Sequence, residues 1–523
     1  MIKKIIRKKH FRQLRSQLKG SKKLHDNGDP FFVWNITSGL TEVNLNMQKS
    51  DFPKALVGSH SVKSEILLRQ ILLKNYNRIC SGIMQSIGSG KPVKVPAPNS
   101  WINSLESNGI SLNRLGCKFT LYKFSVLCFL KAIAKTILLL LQYKLPKLTN
   151  KPYVVFPGLT LKNLPVSRMK KSYNLISWYQ RSEIKKSEVQ EVWVQVQGKK
   201  IPHIRPDIFV YSQIFPSFRK WSNYFLFLYK ACASIAVALA GMILGKWWYG
   251  LLLEESIFLH YVSVFNNQDL AREYLFNNSV WYYKSLWTYE AEKKGSDVSL
   301  YYYSTNMGKI NCGYQRADTF GLKIMQWRNF IVWDKQQRDF LKQFCPDANY
   351  KVVGIIDYVD SPSVFKTNCL GIKIAIFDVT PARSIIYSSI GMAFAPYYSE
   401  KLSLQFFSDI GEIVEPNQMN LFWKQKRIVN SKFIDNGFIR KRDLIINRFF
   451  SIVDPNVSAR SLIEKCDAVI SMPFTSTAII GKELNKPSIY YDSMGIIEEN
   501  SSHGIPVLKN IDELKKWHNS LNI

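Results

Sequence analysis

Residues 467–492 read DAVISMPFTSTAIIGKELNKPSIYYD, and this run decides the fold class. The stretch AVIS is short, apolar and stopped by Pro473, which predicts a buried strand. Thr475, Ser476 or Thr477 then caps a helix reaching to about Asn485, and Pro487 ends it. SIYY returns as a second apolar strand. Strand, tight turn, helix and strand in so few residues is the unit of a parallel sheet. The turn also carries chemistry. A helix N-terminus presents unpaired N–H groups and about half a positive charge, and three consecutive hydroxyls add donors, which suits a phosphate. An ordinary Ser/Thr cap is the competing reading.

The same alternation continues outward. KPYVVFPGL begins it near residue 151, and a helix over 286–294 is stopped by Gly295 before the strand run VSLYYYS. A second series starts near Tyr350 with YKVVGIIDYVD, followed by IKIAIFDVTP, NLFWKQKR and NRFFSIVDP. Short apolar strands alternating with helices predict two Rossmann-like units with parallel sheets covered on both faces. The expected division is a basic, mixed and mainly helical extension over 1–150, a first Rossmann-like domain over 151–345 and a second over 346–523.

Ligands of such sheets bind beyond the carboxyl ends of the strands. Small polar residues recur there: Ser304, Thr305 and Asn306 after VSLYYY, Asp378 and Thr380 after IAIF, and Pro473 to Thr477 after AVIS. Turn residues follow strands in any protein, so only the set as a whole points to a cleft between the two units.

Ser471 to Asp492 resembles the signature of the polysaccharide biosynthesis PFTS-motif proteins, through the run Pro473-Phe474-Thr475-Ser476. LWTYEAEK from Leu286, followed by YYYSTN from Tyr301, is similar to an upstream block of that family, and FDVTPAR from Phe377 to a third. The resemblance covers about residues 250–510. It implies a surface-carbohydrate enzyme of the α/β class with a GT-B-like fold: two Rossmann-like domains facing a cleft. The expected reaction moves a sugar from a nucleotide-sugar donor to a saccharide or lipid-linked acceptor. The pattern STAxxGxELxKPS is also similar to the phosphate-binding turn of GT-B enzymes that use CMP-linked sialic acid or Kdo. A sugar-nucleotide epimerase on the same fold and a non-catalytic membrane-associated assembly protein are the alternatives.

GT-B enzymes need no metal, because fixed cations and helix dipoles can neutralise the leaving phosphate, so no metal and no cofactor are expected. Lys424, Lys426 and Arg427 in FWKQKR are the candidate cations, beside Pro473, Phe474, Thr475, Ser476 and Thr477 for the nucleotide phosphate. Ser304, Thr305 and Asn306 are the candidate substrate contacts. A base that takes the acceptor's proton must be a carboxylate or a histidine, and Glu290, Glu292 and Asp378 are the candidates. His503, in SSHGIP, reads as an incidental loop histidine.

The net charge is +32, which admits nucleic acid, an anionic membrane surface or phosphorylated substrates as partners. No nucleic-acid-binding module is recognisable and the densest basic run is the extreme N-terminus, so no nucleic-acid partner is expected. Residues 1–23 hold ten Lys/Arg and no acid, which fits a helix on anionic lipid or a solvated tail. Residues 225–244 carry one charge, Lys230, and are barely long enough to cross a bilayer; a buried or monotopic helix is the expected reading. The eight cysteines form no CxxC pair, in keeping with a reducing compartment. The expected location is the inner face of the cytoplasmic membrane, peripherally attached.

Overall fold

The computed structural model describes residues 2–165, 173–196, 206–280, 282–305, 321–358, 365–394, 399–413, 419–425, 434–473, 475–497 and 499–521. The chain opens with helices α1 (Ile2–Asp26), α2 (Phe32–Gly39), α3 (Lys54–Val57), α4 (Ser61–Leu73), α5 (Tyr76–Ser89), α6 (Asn99–Ser107) and α7 (Arg114–Leu140). Neither a free tail nor a helix wholly on lipid describes α1. It lies so close on α5 that a Cβ at Gly88 would sit 2.0 Å from the Ser16 carbonyl oxygen, and only paired glycines permit that approach. Asn113 caps α7 by accepting from the Gly116 N–H at 2.7 Å.

The first sheet follows, built from β1 (Tyr153–Leu159), α8 (Leu175–Arg181), β2 (Glu191–Val196), β3 (Ile208–Tyr211), α9 (Trp221–Ile243), α10 (Trp248–Ser263) and β4 (Glu273–Asn277). It continues with α11 (Leu286–Lys293), β5 (Asp297–Tyr301), β6 (Asn329–Val332), α12 (Lys335–Lys342) and β7 (Asn349–Val352). Its strand order is β3-β2-β1-β4-β5-β6-β7, parallel throughout. The direction of winding reverses between β1 and β4.

The second sheet comprises β8 (Ile372–Phe377), α13 (Ser384–Ser389), α14 (Glu400–Glu412), β9 (Met419–Lys424), α15 (Asn436–Phe449), β10 (Phe450–Val453) and α16 (Ala459–Ile463). Then come β11 (Ala468–Ser471), α17 (Ser476–Glu483), β12 (Ser488–Tyr491), β13 (Ser501–Ser502), β14 (Ile505–Leu508) and α18 (Ile511–Asn519). The order is β10-β9-β8-β11-β12-β14-β13, parallel except for β13, and it reverses between β8 and β11. The chain is therefore α/β and GT-B-like, two doubly wound units in tandem. All four residues of β11 are buried, which is why a continuous apolar run and not an alternating one marked it.

Two boundaries differ from the sequence reading. YKVVG supplies β7, the last strand of the first sheet, so the chain crosses over after Val352 and not at 345. An edge strand and a first strand look alike in sequence; only pairing tells them apart. The helical extension, moreover, is not a separate body. One core joins Val33, Leu72 and Trp101 to Leu252, Trp287 and Phe330, so the extension shares the hydrophobic core of the first unit, packed on α9, α10 and α11. The extension also reaches the second unit, where the Trp34 N–H donates to the Gly391 carbonyl at 3.0 Å. The apolar helix expected over 225–244 is α9, and it is half-buried.

Candidate functional site

The carboxyl ends of β8 and β11 flank the switch point of the second sheet, where open α/β sheets bind ligands. Past β11 the Met472 N–H still pairs with the Phe377 carbonyl at 2.9 Å, and Pro473, buried, ends the strand. Phe474 lies outside the described residues. Thr475 is the N-cap of α17, but its hydroxyl turns back to the Met472 carbonyl at 2.9 Å and gives the helix no side-chain cap. The Thr477 hydroxyl is 2.8 Å from that of Ser471 and 3.1 Å from that of Thr475. The Tyr490 hydroxyl donates to the Thr475 carbonyl at 2.9 Å. Thr475 and Thr477 thus lock the turn from within instead of offering donors to a guest. The donors that remain for a guest are the Ser476 hydroxyl, which only accepts from Thr305, and the main-chain N–H groups of the first turn of α17. Gly481 lets the helix lie this close to the sheet, since a Cβ there would be 2.3 Å from the Ser488 hydroxyl.

The first sheet supplies the opposite wall. The Thr305 N–H donates to the Ser476 hydroxyl at 3.2 Å, so the sheet ends carrying these two residues meet directly. Ser304, also buried, gives its carbonyl to the Gln337 amide at 3.1 Å, and Gln337 accepts from the Trp333 N–H at 2.9 Å. That side chain fastens the end of β5 to the end of β6. Asn306 lies outside the described residues.

A second bridge between the units was not legible in the sequence. Asp334 caps α12 and, through its other oxygen, meets the Nδ1 of His503 at 2.5 Å. With the carboxylate ionised, the imidazole must be the donor. The His503 N–H also donates to the Gln336 side chain at 2.5 Å, and Lys482 of α17 donates to the His503 carbonyl at 2.9 Å. His503 is thus no incidental loop residue: it sits at φ +55° in the β13–β14 turn and reaches across to the other unit. Burial works against the Asp334 carboxylate, but the His503 and Gln337 donors outweigh it and hold the carboxyl below its ordinary value of 3.8. A depressed carboxyl stabilises the fold above its unfolded value, and that stabilisation is lost as pH falls through the folded one. Asp334→Asn is therefore expected to lower the melting temperature at neutral pH, with the gap from wild type closing below pH 3.8. Melting curves of both proteins across the acid range check this; a gap independent of pH would sink it.

The candidate base residues separate. Asp378 stands at the switch point, at the end of β8, yet it is buried and accepts from the Trp423 indole at 2.9 Å and from the Thr380 hydroxyl at 3.1 Å. Burial pushes its carboxyl above the ordinary range, against those two donors. With both oxygens engaged, Asp378 orients Trp423 and the β8–β9 edge. Glu290 pairs with His60 of the helical layer at 3.4 Å, and Glu292 with Lys284 at 2.7 Å. Both lie in the later turns of α11, where the adjoining Lys294 bonds to the carbonyls that close α10 ahead of β4. This is the amino edge of the sheet, opposite the edge that binds ligands, so the structure does not bring Glu290 and Glu292 to the cleft.

Of the three candidate cations, Lys424 ends β9 at the carboxyl edge, while Lys426 and Arg427 lie outside the described residues. Burial and then the neighbouring Lys162 ammonium pull the Lys424 amine below its usual range, opposed by Asp454 and Asp378. Lys162 follows β1 of the first unit, so two cations from opposite sheets lie within electrostatic reach. A separate cavity of about 910 Å³ opens between α8 and the crossover, lined by Trp178, Arg181, Lys351, Asp357 and Arg460; none of the sequence candidates lines it. Among the described residues, no three His, Cys, Asp or Glu come together as metal ligands.

The family model for polysaccharide biosynthesis PFTS motif proteins matches residues 235–518. A comparison with curated proteins finds no match. Among solved structures, the chain is similar to a glycotransferase of kitacinnamycin, at 8% identity over 71% of this chain and 91% of that one, with a TM-score of 0.35. It is similar also to the apo form of the lipopolysaccharide outer core galactosyltransferase WaaB, at 11% identity over 71% of this chain and 90% of that one, with a TM-score of 0.34. At such TM-scores the likeness is too loose to bear on activity.

Proposed function

Because the chain belongs to the polysaccharide biosynthesis PFTS motif protein family, we propose that it is a glycosyltransferase taking a nucleotide-sugar donor and a saccharide or lipid-linked acceptor. The observation that carries this reading is the N-terminus of α17. It opens at the switch point of a doubly wound sheet, its capping residue leaves the first-turn N–H groups without a side-chain partner, and the other unit meets it at Thr305. A donor phosphate seated there receives N–H groups and the positive end of the helix. In this reading Lys424, at the carboxyl end of β9, offsets the charge that develops as the sugar leaves. Neither role needs the hydroxyls of Thr475 and Thr477, which hold the turn in shape.

The test is a nucleotide series followed by transfer. One of the CMP-, UDP- or GDP-linked sugars should raise the melting temperature, since a ligand held only by the native state at a hundred times its Kd adds about 2.7 kcal/mol. That donor should then label a saccharide or lipid-linked acceptor. Lys424→Met should lower turnover by roughly tenfold or more while leaving the melting temperature near wild type. Isomerisation of the donor without any acceptor would make the protein an epimerase, and stabilisation by none of the three would defeat the reading.

A further inference from the structure

Helices α7 and α9 turn apolar faces to solvent along their whole length. On α9 the outward positions Trp221, Phe225, Tyr229, Leu239 and Ile243 recur at helical spacing; Phe225 is 60% exposed, Tyr229 72% and Ile243 76%. On α7 the outward series is Leu115, Phe119, Leu130 and Ile137, continued by Leu141 at its C-cap, with Leu115 81% exposed. Both helices pack on α10, and the Tyr122 hydroxyl donates to the Met242 carbonyl, which joins the two faces into one surface. An apolar surface of this extent is not left in water by a soluble monomer.

We propose that this α7–α9 face is a monotopic seat for an anionic lipid bilayer. Charge and chemistry select that occupant. Neither helix contains an acidic residue, whereas Lys118, Lys123 and Lys220 stand exposed around the apolar faces. Trp221 and Tyr229 belong to the residue types that favour the headgroup boundary. Although α9 is long enough to cross a bilayer, it lies on it. Its inner side is bonded into the fold, with the Ser234 hydroxyl on the Ala55 carbonyl at 2.6 Å and Lys230 on the Ser263 hydroxyl at 2.9 Å. The outer half alone dips about 5–10 Å into the boundary between headgroups and acyl chains. The basic helix α1 is not the main anchor, because its later turns are packed on α5. The proposal stands on these surfaces alone and does not depend on the transferase reading.

The experiment is cosedimentation of the full chain with vesicles of phosphatidylcholine, alone or mixed with phosphatidylglycerol. Binding should favour the anionic vesicles and persist in part at high salt, which screens the cations but not the apolar contact. The pairs Phe225→Glu with Ile243→Glu, and Phe119→Glu with Leu130→Glu, should each lower partitioning roughly tenfold or more without changing the melting temperature. Leu370→Glu with Leu444→Glu, equally exposed on the second unit, should change nothing. Quenching of tryptophan emission by brominated lipid should fall in Trp221→Phe, a substitution that keeps an aromatic ring at that position. Undiminished vesicle binding by both α7 and α9 pairs would overturn the proposal. So would a wild-type dimer that those pairs dissociate in light scattering, since the face would then be a contact between copies.

Discussion

Ser476→Pro is expected to weaken nucleotide binding by about 1.5–3 kcal/mol, roughly ten- to hundredfold in Kd, the range for a hydrogen bond to a charged group. Ser476 is the first residue of α17, and Thr475 before it is extended at φ −93° and ψ 145°, a conformation that a following proline tolerates. The lost N–H has no partner within the helix, so folding should change little. Ser476→Ala provides the control: it removes the acceptor used by Thr305 and keeps the N–H. Equal affinity of the two variants would show that the Ser476 N–H holds no phosphate. Thr477→Ala, whose hydroxyl is spent inside the turn, should cost about 1 kcal/mol of stability and leave affinity nearly intact.

The second large effect concerns Glu292. Replacing it with Gln leaves the Lys284 ammonium, whose side chain is wholly buried, without its carboxylate. Burial already pulls that amine below its usual range, with Glu292 opposing it. Breaking a buried pair from one side typically costs about 3–5 kcal/mol; the lower end is expected here because Glu292 keeps some contact with water. Thermal melting should therefore fall by several degrees while turnover per folded molecule is retained. Lys284→Met combined with Glu292→Leu should recover much of the loss. A Gln variant that melts normally but has lost turnover would instead return Glu292 to the chemistry.

The two carboxylates of α11 show where a sequence reading fails. Glu290 and Glu292 stand in a block that resembles a known family, and their spacing on one helix was legible. Which end of the sheet that helix end meets was not, because it depends on Lys294 and α10. His503 failed in the opposite direction. Its partner Asp334 is 169 residues away, and no local pattern joins a turn in one unit to a helix cap in the other.

By itself the sequence determined the strand–turn–helix–strand unit at the PFTS run and the doubly wound α/β class of both units. These follow from local facts: continuous apolar strands buried on both faces, a proline that ends a strand, and small polar residues where a helix begins. The tertiary structure alone decided that YKVVG closes the first sheet, since strand membership is a matter of pairing. It decided too that the hydroxyls of the turn's threonines are engaged within the turn, because a hydroxyl's partner is set by the rotamer the packed turn allows. Finally, it decided that α9 is buried on one side only. Composition fixes how apolar a helix is, but the neighbours packed against it determine which of its faces remains in water.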